Sequence, residues 1–174
     1  MKRKELEGLI RATEDKIKEY EQELQNMRKQ LTVVIEQEKE RKHYISSKEI
    51  IDLIYKNTGK KINMSTVKRW ADEGYLGEVI DEKDKFWALR TKQGKKRFLY
   101  PKVDTHSFLH EKGYLHPEFD ILDLVEINQP DNEIITGTVV DSVLELDQFH
   151  YTIQAEDTFE VIKNVKEEFL TKKE

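Results

Sequence analysis

Residues 63–76, Asn63-Met64-Ser65-Thr66-Val67-Lys68-Arg69-Trp70-Ala71-Asp72-Glu73-Gly74-Tyr75-Leu76, decide how the 174-residue chain is read. Asparagine is a residue that caps helices and glycine one that ends them, so the spacing predicts a helix from Met64 to about Glu73, closed by Gly74. On that helix Val67 and Trp70 or Ala71 stand at the three- and four-residue spacing of a core face. Ser65, Thr66, Lys68 and Arg69 are left for the outside. Hydroxyls and free backbone N–H groups in a first helical turn bind phosphate or reach a base edge. An arginine fork makes two parallel bonds to O6 and N7 of guanine, so Arg69 is the candidate base reader.

Upstream, Ser46-Ser47-Lys48-Glu49 has the Ser-x-x-Glu form of a capping box. It predicts a helix from Ser46 to about Asn57, ended by Gly59, with Ile50, Ile51, Ile54 and Leu53 on its inner side. Ser47 and Lys48 join the candidate DNA-contacting residues. Downstream, Phe86-Trp87-Ala88-Leu89-Arg90 and Arg97-Phe98-Leu99-Tyr100 flank a polar turn, which predicts a hairpin. Arg90, Lys92, Lys95, Lys96 and Arg97 crowd around Gly94 in that turn. A cationic tip of this kind suits clamping of a phosphate backbone or entry into a minor groove. Pro101 then opens a third helix to about Lys112, with Val103, Phe108 and Leu109 facing inward.

The run from Thr66 to Leu76 resembles the second helix and exit of MerR-like and excisionase-like winged helix-turn-helix proteins. That exit reads Thr/Ser–aliphatic–basic–x–aromatic, then Glu-Gly-x-Leu. Arg97-Phe98-Leu99-Tyr100-Pro101, with Val103 and Phe108-Leu109, is similar to their wing strand and following helix. The resemblance covers about 65 residues of the chain. It implies major-groove binding through Thr66, Lys68 and Arg69, with the basic wing residues on the backbone. Two departures stand out. Glu78 to Lys85 is an acidic lengthening of the wing, and the coiled-coil segment precedes the DNA-binding domain, whereas MerR-type regulators place theirs after it. Effector sensing of that family's kind is therefore not implied.

Before residue 44, Leu6, Ile10, Thr13, Ile17, Tyr20, Leu24, Met27, Leu31 and Val34 alternate at four- and three-residue spacing. That 3.5-residue period is the seam of a coiled coil, with Ile10, Ile17, Leu24 and Leu31 at a and the others at d. In a parallel homodimer Lys16 would face Glu21 of the partner and Glu23 would face Arg28. Antiparallel pairing, and packing of a lone helix on its own domain, remain alternatives. After residue 113, short apolar runs (123–127, 134–143, 149–154, 158–162) alternate with turn signals and end near Leu170, which predicts a small barrel. Asp123-Leu124-Val125-Glu126, Gly137-Thr138-Val139-Val140 and Tyr151-Thr152-Ile153 resemble an SH3-like barrel.

Charge assigns roles to these segments. Residues 1–43 carry net +1, residues 44–113 net +5, and residues 114–174 net −11. A polyanion is drawn to the middle segment and repelled by the last, which is free to bind a basic protein partner, shield the DNA-binding domain or stabilise the dimer. Apolar and charged residues each make up 37%, a low apolar share that fits an exposed helix. No run is apolar enough to span a bilayer, and charges follow the opening Met-Lys-Arg-Lys where a signal peptide would be apolar. The absence of cysteine excludes disulfide and thiolate chemistry and fits a reducing cytoplasm. His106 and His110 stand four apart with His116 beyond, yet no glutamate of a zinc-protease motif lies between them, and neither metal nor cofactor is expected. There is no Gly-rich phosphate loop and no spaced nucleophile set, so an enzyme is not expected either.

The resulting expectation is an α+β protein with a dimerisation helix (1–43), a winged helix-turn-helix domain (44–113) and an acidic SH3-like barrel (114–174). Its expected function is sequence-specific binding of double-stranded DNA as a homodimeric transcription regulator. An architectural, segregation or recombination accessory role of a plasmid or phage is the alternative within DNA binding. A protein–protein adaptor that touches no DNA is the alternative outside it.

Overall fold

The computed structural model describes residues 2–89 and 94–174. The fold is mixed α+β, with one long N-terminal helix and two antiparallel sheets. Contacts divide the chain into two compact units, residues 1–42 with 82–96 and residues 43–81 with 97–174. Among the described residues no helix is long and apolar enough to cross a membrane.

The first unit is built on α1 (Arg3–Arg41), a 39-residue helix none of whose residues is buried. At 1.5 Å per residue it is about 58 Å long. The apolar stripe expected from the 3.5-residue period lies open: Leu6, Ile10, Ile17, Tyr20, Leu24, Met27 and Leu31 are 46–67% exposed. Val33, Val34, Gln37 and Arg41 are half-buried, and the last turns of α1 meet residues 82–89. That segment forms a single turn, α4 (Glu82–Lys85), followed by a 3-10 turn at Trp87–Leu89.

This corrects the expected hairpin. The aromatic run from Phe86 to Leu89 is not its incoming strand, and Arg90 at the end of that run lies outside the described residues. The Phe86 N–H donates to the Glu82 carbonyl (2.8 Å), and the Ala88 N–H donates to Oε1 of Gln37 (2.9 Å). These amide donors are therefore satisfied by a turn and by a helix side chain, leaving no ladder to form. The incoming strand is the two-residue β2 (Ile80–Asp81), which pairs antiparallel with β3 (Phe98–Pro101).

In the second unit, β1 (Tyr44–Ser46) precedes α2 (Ser47–Thr58), α3 (Met64–Asp72), β2, β3 and α5 (Lys102–Glu111), and the three strands form a sheet in the order β1-β3-β2. The capping box at the start of α2 is formed: Ser46 Oγ accepts from the Glu49 N–H (3.3 Å) and Glu49 Oε2 from the Ser46 N–H (2.7 Å). Gly59 closes α2 at φ 71°, a left-handed conformation that costs glycine little. Asn63 stands at the start of α3, but its side chain makes no capping bond; its carbonyl accepts from Thr66 and Val67. On α5 the expected inward Val103 is exposed, and Thr105 is buried with Phe108 and Leu109. The Thr105 hydroxyl donates to the Leu76 carbonyl (3.4 Å), so a polar side chain tucks under the exit of α3.

The C-terminal sheet comprises β4 (Leu124–Asn128), β5 (Ile134–Glu145), β6 (Gln148–Ala155), β7 (Val161–Lys166) and β8 (Leu170–Lys172), in the order β7-β6-β5-β4-β8. A 3-10 turn (Glu167–Phe169) returns the chain from β7 to the far edge beside β4. Thr158 to Glu160, expected at the start of a strand, lie in the turn before β7. Strand β6 buries Phe149, Tyr151, Ile153 and Ala155 on one face, the period-two signature of a half-buried strand. A continuous apolar cluster joins Ile50, Val67 and Leu109 of the helices to Phe149, Tyr151 and Ile153 of the sheet.

Candidate nucleic-acid interface

Helix α3 has two chemically opposed sides because its buried residues recur at helical spacing. Val67 and Trp70 are buried and Ala71 is half-buried, while Ser65, Lys68 and Arg69 are exposed and Thr66 is half-buried. The inner side is held by aromatic contacts. Trp70 meets Phe108 edge-on with ring centres 5.3 Å apart and Tyr114 at 5.5 Å. Tyr75, just beyond α3, stacks on Phe108 at 5.0 Å. Such pairs add about 0.5–1.5 kcal/mol each beyond the area they bury, so the rotation of α3 about its axis is well determined. Tyr75, Phe108 and Tyr114 thus support the outward face through Trp70. The sequence signal that could have found them is their aromatic character around the helix exit.

The outward cations are not consumed by the fold. Among the described residues neither Lys68 nor Arg69 has an ion-pair partner. The first turn of α2 contributes a second group. Lys48 is exposed, whereas Ser47 is half-buried with its hydroxyl 3.2 Å from the Tyr100 hydroxyl. Arg97, at the start of β3, is exposed, and its guanidinium donates to Ser46 Oγ (3.4 Å). Because β1 and β3 pair Ser46 with Leu99, Arg97 is brought to the N-terminus of α2. Within this unit the structure therefore gathers Arg97, Ser47 and Lys48, and on α3 it gathers Ser65, Thr66, Lys68 and Arg69.

The remaining expected contacts divide in two. Lys95 and Lys96 are exposed and belong to the unit of α1. There the Lys83 ammonium donates to the Gly94 carbonyl (2.9 Å) and ties Gly94 to α4. Arg90 and Lys92 lie outside the described residues.

The histidines have structural partners. His106 Nδ1 is 2.7 Å from the Lys102 carbonyl, and His110 Nδ1 is 3.0 Å from that of Leu115. Burial holds His106 below its ordinary pKa, and the bond to the Lys102 carbonyl opposes that shift in part. Among the described residues no group of three His, Cys, Asp or Glu side chains could hold a metal ion. A cleft of about 670 Å³ in the second unit is lined by Lys56, His106, His116, Glu118, Asp147 and Glu168 among others. Its mixed signs make it unlike a phosphate-binding groove. No family model, no curated protein and no solved structure matches the chain.

Proposed function

We propose that the chain is a non-enzymatic protein that reads double-stranded DNA as a homodimer in transcription control. The observation that carries this reading is α3: Val67 and Trp70 lock one side into the core while Ser65, Lys68 and Arg69 stand in solvent on the other. A major groove admits one helix with that division of residues. The order β1-α2-α3-β2-β3, with β3 between β1 and β2, supports the resemblance to winged helix-turn-helix proteins. In this reading Ser47, Lys48 and Arg97 anchor the backbone beside α3, and Lys95 and Lys96, in the other unit, are further phosphate contacts. The C-terminal sheet supports the SH3-like reading through its strand order and the 3-10 turn before β8. Its net charge keeps it off DNA and suits it to a basic protein partner.

Homodimerisation rests on the open stripe of α1. A 39-residue helix with no buried residue gains little from its own chain, and most helical stability in proteins comes from packing an apolar face. A second copy carries the same stripe at the same period, so pairing buries Leu6 through Leu31 in register.

The test is a fluorescence titration of the full chain on genomic DNA fragments across salt concentrations, with sedimentation equilibrium alongside. The expected result is one preferred fragment, a logarithmic salt slope of about −0.9 for each phosphate contact, and a mass twice the 20.8 kDa of the chain. Binding of many fragments with compaction would favour an architectural role, and binding of none would refute DNA recognition.

A further inference from the structure

We infer that residues 82–89 form a latch that fastens the segment from Gly94 to Lys96 to α1, so that pairing of α1 and contact of Lys95 and Lys96 with a phosphate backbone are coupled. This rests on the DNA-binding reading above and adds a regulatory link to its expected phosphate contacts Lys95 and Lys96. The latch is a continuous series of contacts within the first unit. Oε1 of Gln37 accepts from the Ala88 N–H at 2.9 Å. The Arg41 guanidinium lies 3.3 Å from Oε1 of buried Glu82, and the Lys85 ammonium lies 3.0 Å from Oε1 of Glu40. Lys83 then donates to the Gly94 carbonyl at 2.9 Å, which carries the attachment to the residue before Lys95. Gln37, Glu40 and Arg41 are positioning residues for the tip.

The coupling follows from where the latch grips. Gln37 to Arg41 are the last turns of α1, directly after Val34, the final residue of the expected seam. The same helix presents an unburied apolar stripe, so in one copy its order has little tertiary support. Pairing along the stripe stabilises the helix whose end holds the latch. By linkage, any ligand that engages Lys95 and Lys96 in the latched arrangement favours pairing by the same factor. Within the stretch Glu78 to Lys85, which departs from the winged-helix resemblance, Glu82 and Lys85 thus acquire a purpose: they pair with Arg41 and Glu40 of α1.

The experiment uses hydrogen exchange on the full chain for the native protein and three double variants. Gln37→Ala with Glu40→Ala removes two latch contacts without weakening the helix, since alanine is the best helix former. Ile17→Glu with Leu24→Glu breaks the seam 20 and 13 residues before Gln37. Both variants are expected to raise exchange over residues 82–89 roughly tenfold, while amides of α3 stay as in the native protein. In salt titrations the Gln37/Glu40 variant should lose about two units of slope, one for each lysine, and retain its sequence preference. The charge swap Glu40→Lys with Lys85→Glu should restore native exchange. Unchanged exchange in the Gln37/Glu40 variant would overturn the latch. Unchanged exchange in the seam variant, once sedimentation shows it monomeric, would overturn the coupling. Absence of DNA binding by the native protein would refute the DNA-binding reading and its coupling to the tip, while the exchange result still decides the latch.

Discussion

Arg69→Ala separates recognition from folding because the side chain is exposed and has no ion-pair partner among the described residues. Its removal opens no cavity and orphans no buried group, so the change in folding stability should stay within about 0.5 kcal/mol. Alanine is also a slightly better helix residue, which works in the same direction. On DNA the expectation is different. A bidentate contact to guanine contributes about 1–3 kcal/mol of discrimination, roughly a five- to 150-fold fall in the ratio of preferred to unrelated affinity. Fluorescence anisotropy on a preferred and a scrambled duplex of equal length, at one fixed salt concentration, reads that ratio. A urea titration of the same preparation reads stability. Equal loss of affinity on both duplexes would show that Arg69 touches phosphate and reads no base. No loss on either would make it a solvated charge, and the account of the α3 face would fail.

Two further predictions concern the second unit. Tyr151→Phe should cost about 2 kcal/mol in urea unfolding at neutral pH, because the Tyr151 hydroxyl donates to Oε2 of Glu167 and accepts from the buried Phe119 N–H. Burial and then the bond to Glu167 hold the phenol above its ordinary pKa of 10.0, so this contribution is complete below pH 10 and declines as pH rises further. An unchanged urea midpoint would refute that role. His106→Gln should flatten the acid side of the stability profile. Burial depresses the His106 pKa, so as pH falls below 6.5 the unfolded chain takes up the proton first and the native state loses stability. The difference between native protein and variant should therefore change below pH 6.5 by at most about 1.4 kcal/mol per pH unit, and be flat above it. A flat difference throughout would exclude His106 as a contributor.

Much of the local architecture was legible from residue order. The Ser46–Glu49 capping box, the glycines that end α2 and α3, and the three-four spacing of Val67 and Trp70 are local signals, each spanning a few residues. The same holds for the short apolar run that becomes β6 and the 3.5-residue stripe of α1. Residue order alone therefore determined the four longer helices, the chemical sidedness of α3, the succession of short C-terminal strands without the last of them, β8, and the separation of basic and acidic segments.

Tertiary structure decided what the backbone groups of each segment pair with. Phe86-Trp87-Ala88-Leu89 has strand composition, yet Gln37, 51 positions away, takes the Ala88 N–H and holds the segment out of a ladder. Val103 and Thr105 exchange the places expected of an apolar and a polar residue because the Leu76 carbonyl needs a buried donor. The acidic stretch before Phe86 gains its meaning from Glu40 and Arg41. Period and capping act over a few residues, whereas hydrogen bonds and ion pairs across 29 to 51 positions depend on which surfaces the folded chain brings together.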